Sequence, residues 1–78
     1  MDYQDYISRD PSVCGGEPVI KGTRVTIRTI LASLAEGDSP QEILKDFPSL
    51  TDEDIRAVIA FAAAAAEDDL PIPAVPAV

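Results

Sequence analysis

The run Ile27-Arg28-Thr29-Ile30-Leu31-Ala32-Ser33-Leu34-Ala35-Glu36-Gly37-Asp38-Ser39-Pro40-Gln41-Glu42-Ile43-Leu44-Lys45-Asp46-Phe47-Pro48 decides how this chain folds. Ile27, Ile30, Leu31 and Leu34 fall at i, i+3, i+4 and i+7, the spacing that lines one face of an α-helix. Gly37 stands where a residue of positive φ ends such a helix, near Glu36. Ser39-Pro40-Gln41-Glu42 reads as a capping box with proline in the first helical position. It opens a second helix whose Ile43, Leu44 and Phe47 face inward until Pro48, which cannot continue it. Two short helices, Ile30 to Glu36 and Pro40 to Phe47, joined by a glycine-containing turn, have the pattern of a helix-turn-helix.

Toward the C-terminus, Thr51 is placed to cap a third helix, with Asp52, Glu53 and Asp54 at the positive end of its dipole. Ile55, Val58, Ile59 and Ala62 form its expected apolar stripe; Phe61 lies roughly 120° from the stripe centre, for the core edge or a second contact. Ala62 to Ala66 extends the helix through propensity, not buried area, and Glu67-Asp68-Asp69 should fray its negative end. Leu70 to Val78, with Pro71, Pro73 and Pro76, reads as polyproline-like or disordered. The expected organisation is one domain over residues 1–69 and a proline-rich flexible tail over residues 70–78.

Toward the N-terminus stands Gly15-Gly16-Glu17-Pro18-Val19-Ile20-Lys21-Gly22-Thr23-Arg24-Val25. Gly15, Gly16 and Gly22 supply positions of positive φ and Pro18 fixes a dihedral, so the block encodes chain path. Val19-Ile20 and Val25 to Ile27 are strand candidates, with Lys21-Gly22 as a tight hairpin turn. An isolated hairpin is marginal in water, so it must pack on the helices, pair with Asp5 to Ser8, or pair with a second copy. The expected fold class is mainly α, a three-helix helix-turn-helix core with a short N-terminal β-hairpin or strand segment.

With 78 residues the chain buries roughly 60% of its unfolded surface, a modest core that makes self-association a reasonable expectation. No apolar run approaches the roughly 20 residues of a membrane span, and the start lacks signal-peptide character, so a cytoplasmic location is expected. Histidine is absent, which removes Cys/His zinc sets and histidine-based nucleophilic systems; Cys14, the lone cysteine, reads as a small loop or core residue. Gly16 to Thr23 departs from a phosphate-binding loop, because Lys21-Gly22-Thr23 lacks the glycine before the lysine. Asp52 and Asp54 satisfy a helix N-terminus. The chain is read as non-enzymatic, with no catalytic residues, metal or cofactor.

The net charge of −8 is unevenly spread. Residues 1–35 balance Asp2, Asp5, Asp10 and Glu17 against Arg9, Lys21, Arg24 and Arg28, so the whole excess lies after residue 35, where only Lys45 and Arg56 are basic. The long-range field opposes a phosphate backbone, while Lys21, Arg24 and Arg28 form a local attractive strip. The second helix exposes Gln41, Glu42, Lys45 and Asp46, a poor set for phosphates. Lys21, Arg24 and Arg28 are therefore the candidate contacts for DNA or a partner. Their plain reading is a solvated face, with Arg24 the one to pair with an acid.

The strings Ile7-Ser8-Arg9-Asp10-Pro11, Cys14 to Val25, Leu34-Ala35-Glu36-Gly37, Glu42-Ile43-Leu44, Phe47-Pro48 and Leu50 to Ile55 resemble the bacterial and archaeal family called domain of unknown function 433. The resemblance covers about residues 5–66. It implies a small homeodomain-like helical domain with an N-terminal β segment, whose members often lie beside genes for nuclease-like PIN proteins and are described as VapB-type antitoxins. Where that family places a proline and then a short polar residue before the first helix, this chain has Thr26 and Arg28. Arg28 cannot cap, which leaves Thr26 or an uncapped start.

The expected function is that of an antitoxin-like, homodimeric partner of a nuclease-like protein, with weak autoregulatory DNA binding and no membrane contact. In that reading the acidic third helix or the tail occludes the partner while the N-terminal segments pair two copies. The alternatives are a transcriptional regulator reading DNA through the basic hairpin and first-helix region, and a structural homodimerisation module without nucleic acid.

Overall fold

Three capped helices carry the chain. The Thr26 hydroxyl accepts the Thr29 N–H at 3.2 Å and so caps α1 (Ile27–Ala35). At the other end Gly37, at φ 100°, sends its N–H to the Leu34 carbonyl, and Asp38 sends its own to Ser33, each at 3.0 Å. This is the paired closure of a helix by a left-handed glycine. α2 (Pro40–Asp46) opens on the expected box, with the Glu42 N–H donating to Ser39 Oγ at 3.2 Å and the Ser39 N–H to Glu42 Oε1 at 2.8 Å. α3 (Asp52–Asp69) repeats the device with aspartate: the Thr51 N–H donates to Asp54 Oδ2 at 2.9 Å and the Asp54 N–H to Thr51 Oγ1 at 3.2 Å. The helix continues through the alanine run to Asp69. The computed structural model describes residues 1–69; the proline-rich stretch 70–78, read above as a tail, lies outside the described residues.

Before the helices, β1 (Ile7–Ser8) and β2 (Val19–Ile20) pair antiparallel, Ile7 opposite Ile20 and Ser8 opposite Val19. The expected hairpin partner of Val19-Ile20 was Val25 to Ile27; that segment contributes only a single bridge, Val19 to Thr26. Two hydrogen bonds frame it, Ile20 N–H to Val25 O at 2.9 Å and Ile27 N–H to Pro18 O at 3.0 Å. The ladder stops there because Thr26 is already the cap of α1 and Ile27 its first residue. The connection is also wider than a two-residue turn. Thr23 donates both its N–H and its hydroxyl to the Ile20 carbonyl, at 2.9 and 2.7 Å, and its Oγ1 accepts the Val25 N–H at 3.0 Å. Gly22 takes the positive φ, 82°, as its sequence position requires. β2 therefore has β1 on one edge and Val25-Thr26 on the other.

The core gathers Ile20, Ile27, Ile30, Ile43, Leu50, Ile55 and Val58, with Ile7, Val25, Leu31, Leu34, Leu44, Phe47 and Phe61 packed against it. It joins all three helices to the β segment. α3 departs from the expected stripe: Ile59 is 48% exposed, while Ala57 is fully buried. At about 100° per residue, the buried arc is centred roughly 70° further toward Phe61 than the spacing of Ile55, Val58, Ile59 and Ala62 predicts. On the Phe61 side α3 is covered by the N-terminal 3₁₀ turn Tyr3–Asp5; the Tyr3 and Phe61 rings meet edge to face with centroids 5.8 Å apart. Among the described residues, no helix is long and apolar enough to cross a membrane.

Candidate functional site

The glycine-rich block builds a loop surface next to the start of α1. Asp10-Pro11-Ser12 begins it: Asp10 Oδ1 accepts the Ser12 N–H at 2.9 Å and the Ser12 hydroxyl at 2.8 Å, and the Val13 N–H closes the turn onto the Asp10 carbonyl at 2.8 Å. These bonds to Ser12, the backbone one first, hold the Asp10 carboxyl below its ordinary value. Then Cys14, Gly15 and Gly16 take φ of 50°, 67° and 87° in succession, and the N–H groups of Gly16 and Glu17 fold back onto Val13 and Cys14. Two left-handed turns in sequence reverse the chain. Cys14 is the non-glycine among them, half-buried, with its Sγ 3.4 Å from the Arg24 carbonyl. That contact ties the reversal to the loop over residues 21–24.

Lys21 and Arg24 lie on that loop, both exposed, and form no ion pair among the described residues. Arg28, in the first turn of α1, does: its Nη2 donates to Glu17 Oε2 at 2.8 Å. Arg24 was the expected partner of an acid, and the correction has a geometric cause. Gly15 and Gly16 turn Glu17 back toward the α1 start, where Arg28 projects, while the Arg24 backbone is held by Cys14. With side chains 77% and 41% exposed, the Arg28–Glu17 pair contributes at most about 1 kcal/mol. It does remove Arg28 from the basic strip that sequence proximity places together. Gly15, Gly16 and Gly22 shape the backbone as their positions require, and Pro18 costs no hydrogen bond while its carbonyl accepts from Ile27.

A second surface was not foreseen. Between α2 and α3 lies a shallow cleft of ≈ 290 Å³ lined by Pro40, Gln41, Asp52, Ile55, Arg56 and Ile59. The displaced apolar stripe of α3 leaves Ile59 at its edge; periodicity alone does not find this, since it does not say which side of α3 the rest of the chain covers. Nearby, the corner from α2 to α3 exposes Asp46, Asp52 and Glu53. Glu42 faces its own helix start, and its bonds to Ser39, the backbone one first, hold its carboxyl below the ordinary range. Among the described residues no group of three or more acidic or cysteine side chains is placed to hold a metal ion.

Comparison with known proteins places this geometry. The chain is 38% identical over 61 residues to the uncharacterized protein y4eO of Sinorhizobium fredii (strain NBRC 101917 / NGR234), a match covering 78% of this chain and 28% of that protein. A crystal structure of a DUF433 member protein from Anabaena variabilis ATCC 29413 superposes with a TM-score of 0.76 at 34% identity, over 82% of this chain and 63% of that one. The chain thus spans less than two thirds of the length of either relative. The family described as "Protein of unknown function (DUF433)" matches residues 7–62, from β1 through the middle of α3, and the chain belongs to that family.

Proposed function

We propose that the chain is a non-enzymatic, cytoplasmic interaction module, an antitoxin-like partner that occludes a nuclease-like protein. The observation that carries this reading is the separation of charge on a fold whose structured carboxylates are occupied locally. Asp10, Glu17, Glu42 and Asp54 serve turns, caps and one ion pair. The exposed acids Asp46, Asp52 and Glu53 flank the α2–α3 connection, away from the basic loop in sequence and suited to a basic nucleic-acid-binding surface on a partner. Co-expression with the protein encoded beside this chain tests it. A stable complex is expected, weakened by Asp46→Lys and Glu53→Lys; the absence of a complex, or one indifferent to both reversals, sinks the reading.

A second reading, autoregulatory or transcriptional DNA binding, is favoured by Lys21 and Arg24, which stay unpaired on one loop among the described residues. In that reading α1 and α2 form the helix-turn-helix of a homeodomain-like core, and the loop supplies the phosphate contacts that the acidic outer face of α2 cannot. Binding to duplex DNA would weaken with salt and on Lys21→Ala or Arg24→Ala. Arg28→Ala would have the smaller effect, because Arg28 is engaged by Glu17. Equal losses for all three, or no salt-sensitive binding, would reject it.

A further inference from the structure

The outer face of α3 carries a pattern that the fold does not use. Asp52, Arg56, Ile59, Ala63, Ala66 and Glu67 are all exposed. From Asp52 to Ala66 their spacing alternates four and three residues, the seam spacing of one helix against another. At about 100° per residue they fall within an arc of roughly 100°, opposite the face covered by the core and Tyr3. Ile59, Ala63 and Ala66 make its centre apolar, and Arg56 and Glu67 lie on the same flank.

We infer that this face binds a second copy of the chain, α3 against α3 in antiparallel orientation. Two features select that occupant. With the two-fold axis crossing the helix near residue 61, Ile59 of one copy meets Ala63 of the other, so a large side chain stands over a small one at both symmetric positions. In the same register Arg56 lies beside the partner copy's Glu67 on the shared flank, joining opposite charges twice. A parallel pairing would instead set Arg56 against its own counterpart in the seam and carry Glu67 to the opposite flank, away from it. The alanines allow the axes to approach to about 8 Å, the close end of helix packing. Both edges of β2 are occupied within the chain, while β1 keeps its outer edge. The contacts that select this pairing, Ile59 with Ala63 and Arg56 with Glu67, use none of the residues on which the nuclease-partner and DNA readings rest.

One helix face gives an interface at the small end of specific contacts, below about 1,200 Å² in total, so the dimer should dissociate on dilution. Sedimentation equilibrium of the full chain from about 10 μM to about 1 mM should show monomer passing to dimer. Ile59→Glu should leave a monomer of unchanged circular dichroism. Arg56→Glu and Glu67→Arg should each weaken the dimer roughly tenfold, and the two together should restore it. A chain monomeric throughout that range, a dimer indifferent to Ile59→Glu, or charge reversals without effect or without mutual rescue would each overturn the inference.

Discussion

At the scale of single residues, positive φ is the clearest demand that the chain makes. Gly22 sits at φ 82° with nothing within 4 Å of where a Cβ would stand, so Gly22→Ala carries a conformational penalty and no clash. About 1 kcal/mol of lost stability is expected in urea denaturation. Cys14, at φ 50°, bears the same strain with a side chain, and Cys14→Gly should be more stable than Cys14→Ala by a similar amount. Glu42 supplies a pH signature. Its folded pKa lies below its ordinary 4.5, so the folded chain binds fewer protons there than the unfolded one. The stabilisation is complete above that value and is lost as pH falls through the folded pKa. The gap in denaturation midpoint between wild type and Glu42→Ala should therefore narrow as pH falls below the ordinary value of 4.5; a gap of constant size would remove the cap from the account.

At the scale of elements, helix ends were legible, while the strand partner stood among alternatives, of which the Asp5 to Ser8 segment is the one found. Ser39 with Glu42, Thr51 with Asp54 and Gly37 each act within four residues, so local spacing defines them. Thr26 resolves the choice left open at the start of α1. Thr26→Ala should cost about 1 kcal/mol by denaturation, since the Thr29 N–H would lose its acceptor, and Thr26→Ser should recover most of it. The partner of β2 is a different matter. Two segments of similar composition flank Val19-Ile20: Ile7-Ser8 pairs along one edge, and Val25-Thr26 makes a single bridge on the other before Thr26 caps α1. Turn chemistry at Asp10-Pro11-Ser12 was a readable sign that Ile7-Ser8 is brought back alongside.

At the scale of the whole molecule, stability rests on one cluster in a domain too small to contain a second. Ile30 is fully buried and central to it, so Ile30→Ala should cost 2–5 kcal/mol, a large part of what a domain this size holds. The packing of Tyr3 on Phe61 belongs to this scale as well. Tyr3→Ala should cost about 1 kcal/mol and raise amide hydrogen exchange from Phe61 to Ala66 more than in α1; uniform protection would show that the N-terminal turn does not support α3.

Read alone, the sequence determined the three helices, the caps of α2 and α3, the left-handed glycines and the family, because each is written in residues that act on near neighbours. Tertiary structure decided which segment pairs with β2, which arginine Glu17 engages and which face of α3 is covered. Each of those depends on a contact between distant parts of the chain: Ile7 with Ile20, Glu17 with Arg28, Tyr3 with Phe61. The last of these lies on the covered side of α3, while Ile59 stands exposed on the face from which self-association is inferred. Helical periodicity specifies that a stripe exists; only the bodies packed against the helix specify its direction.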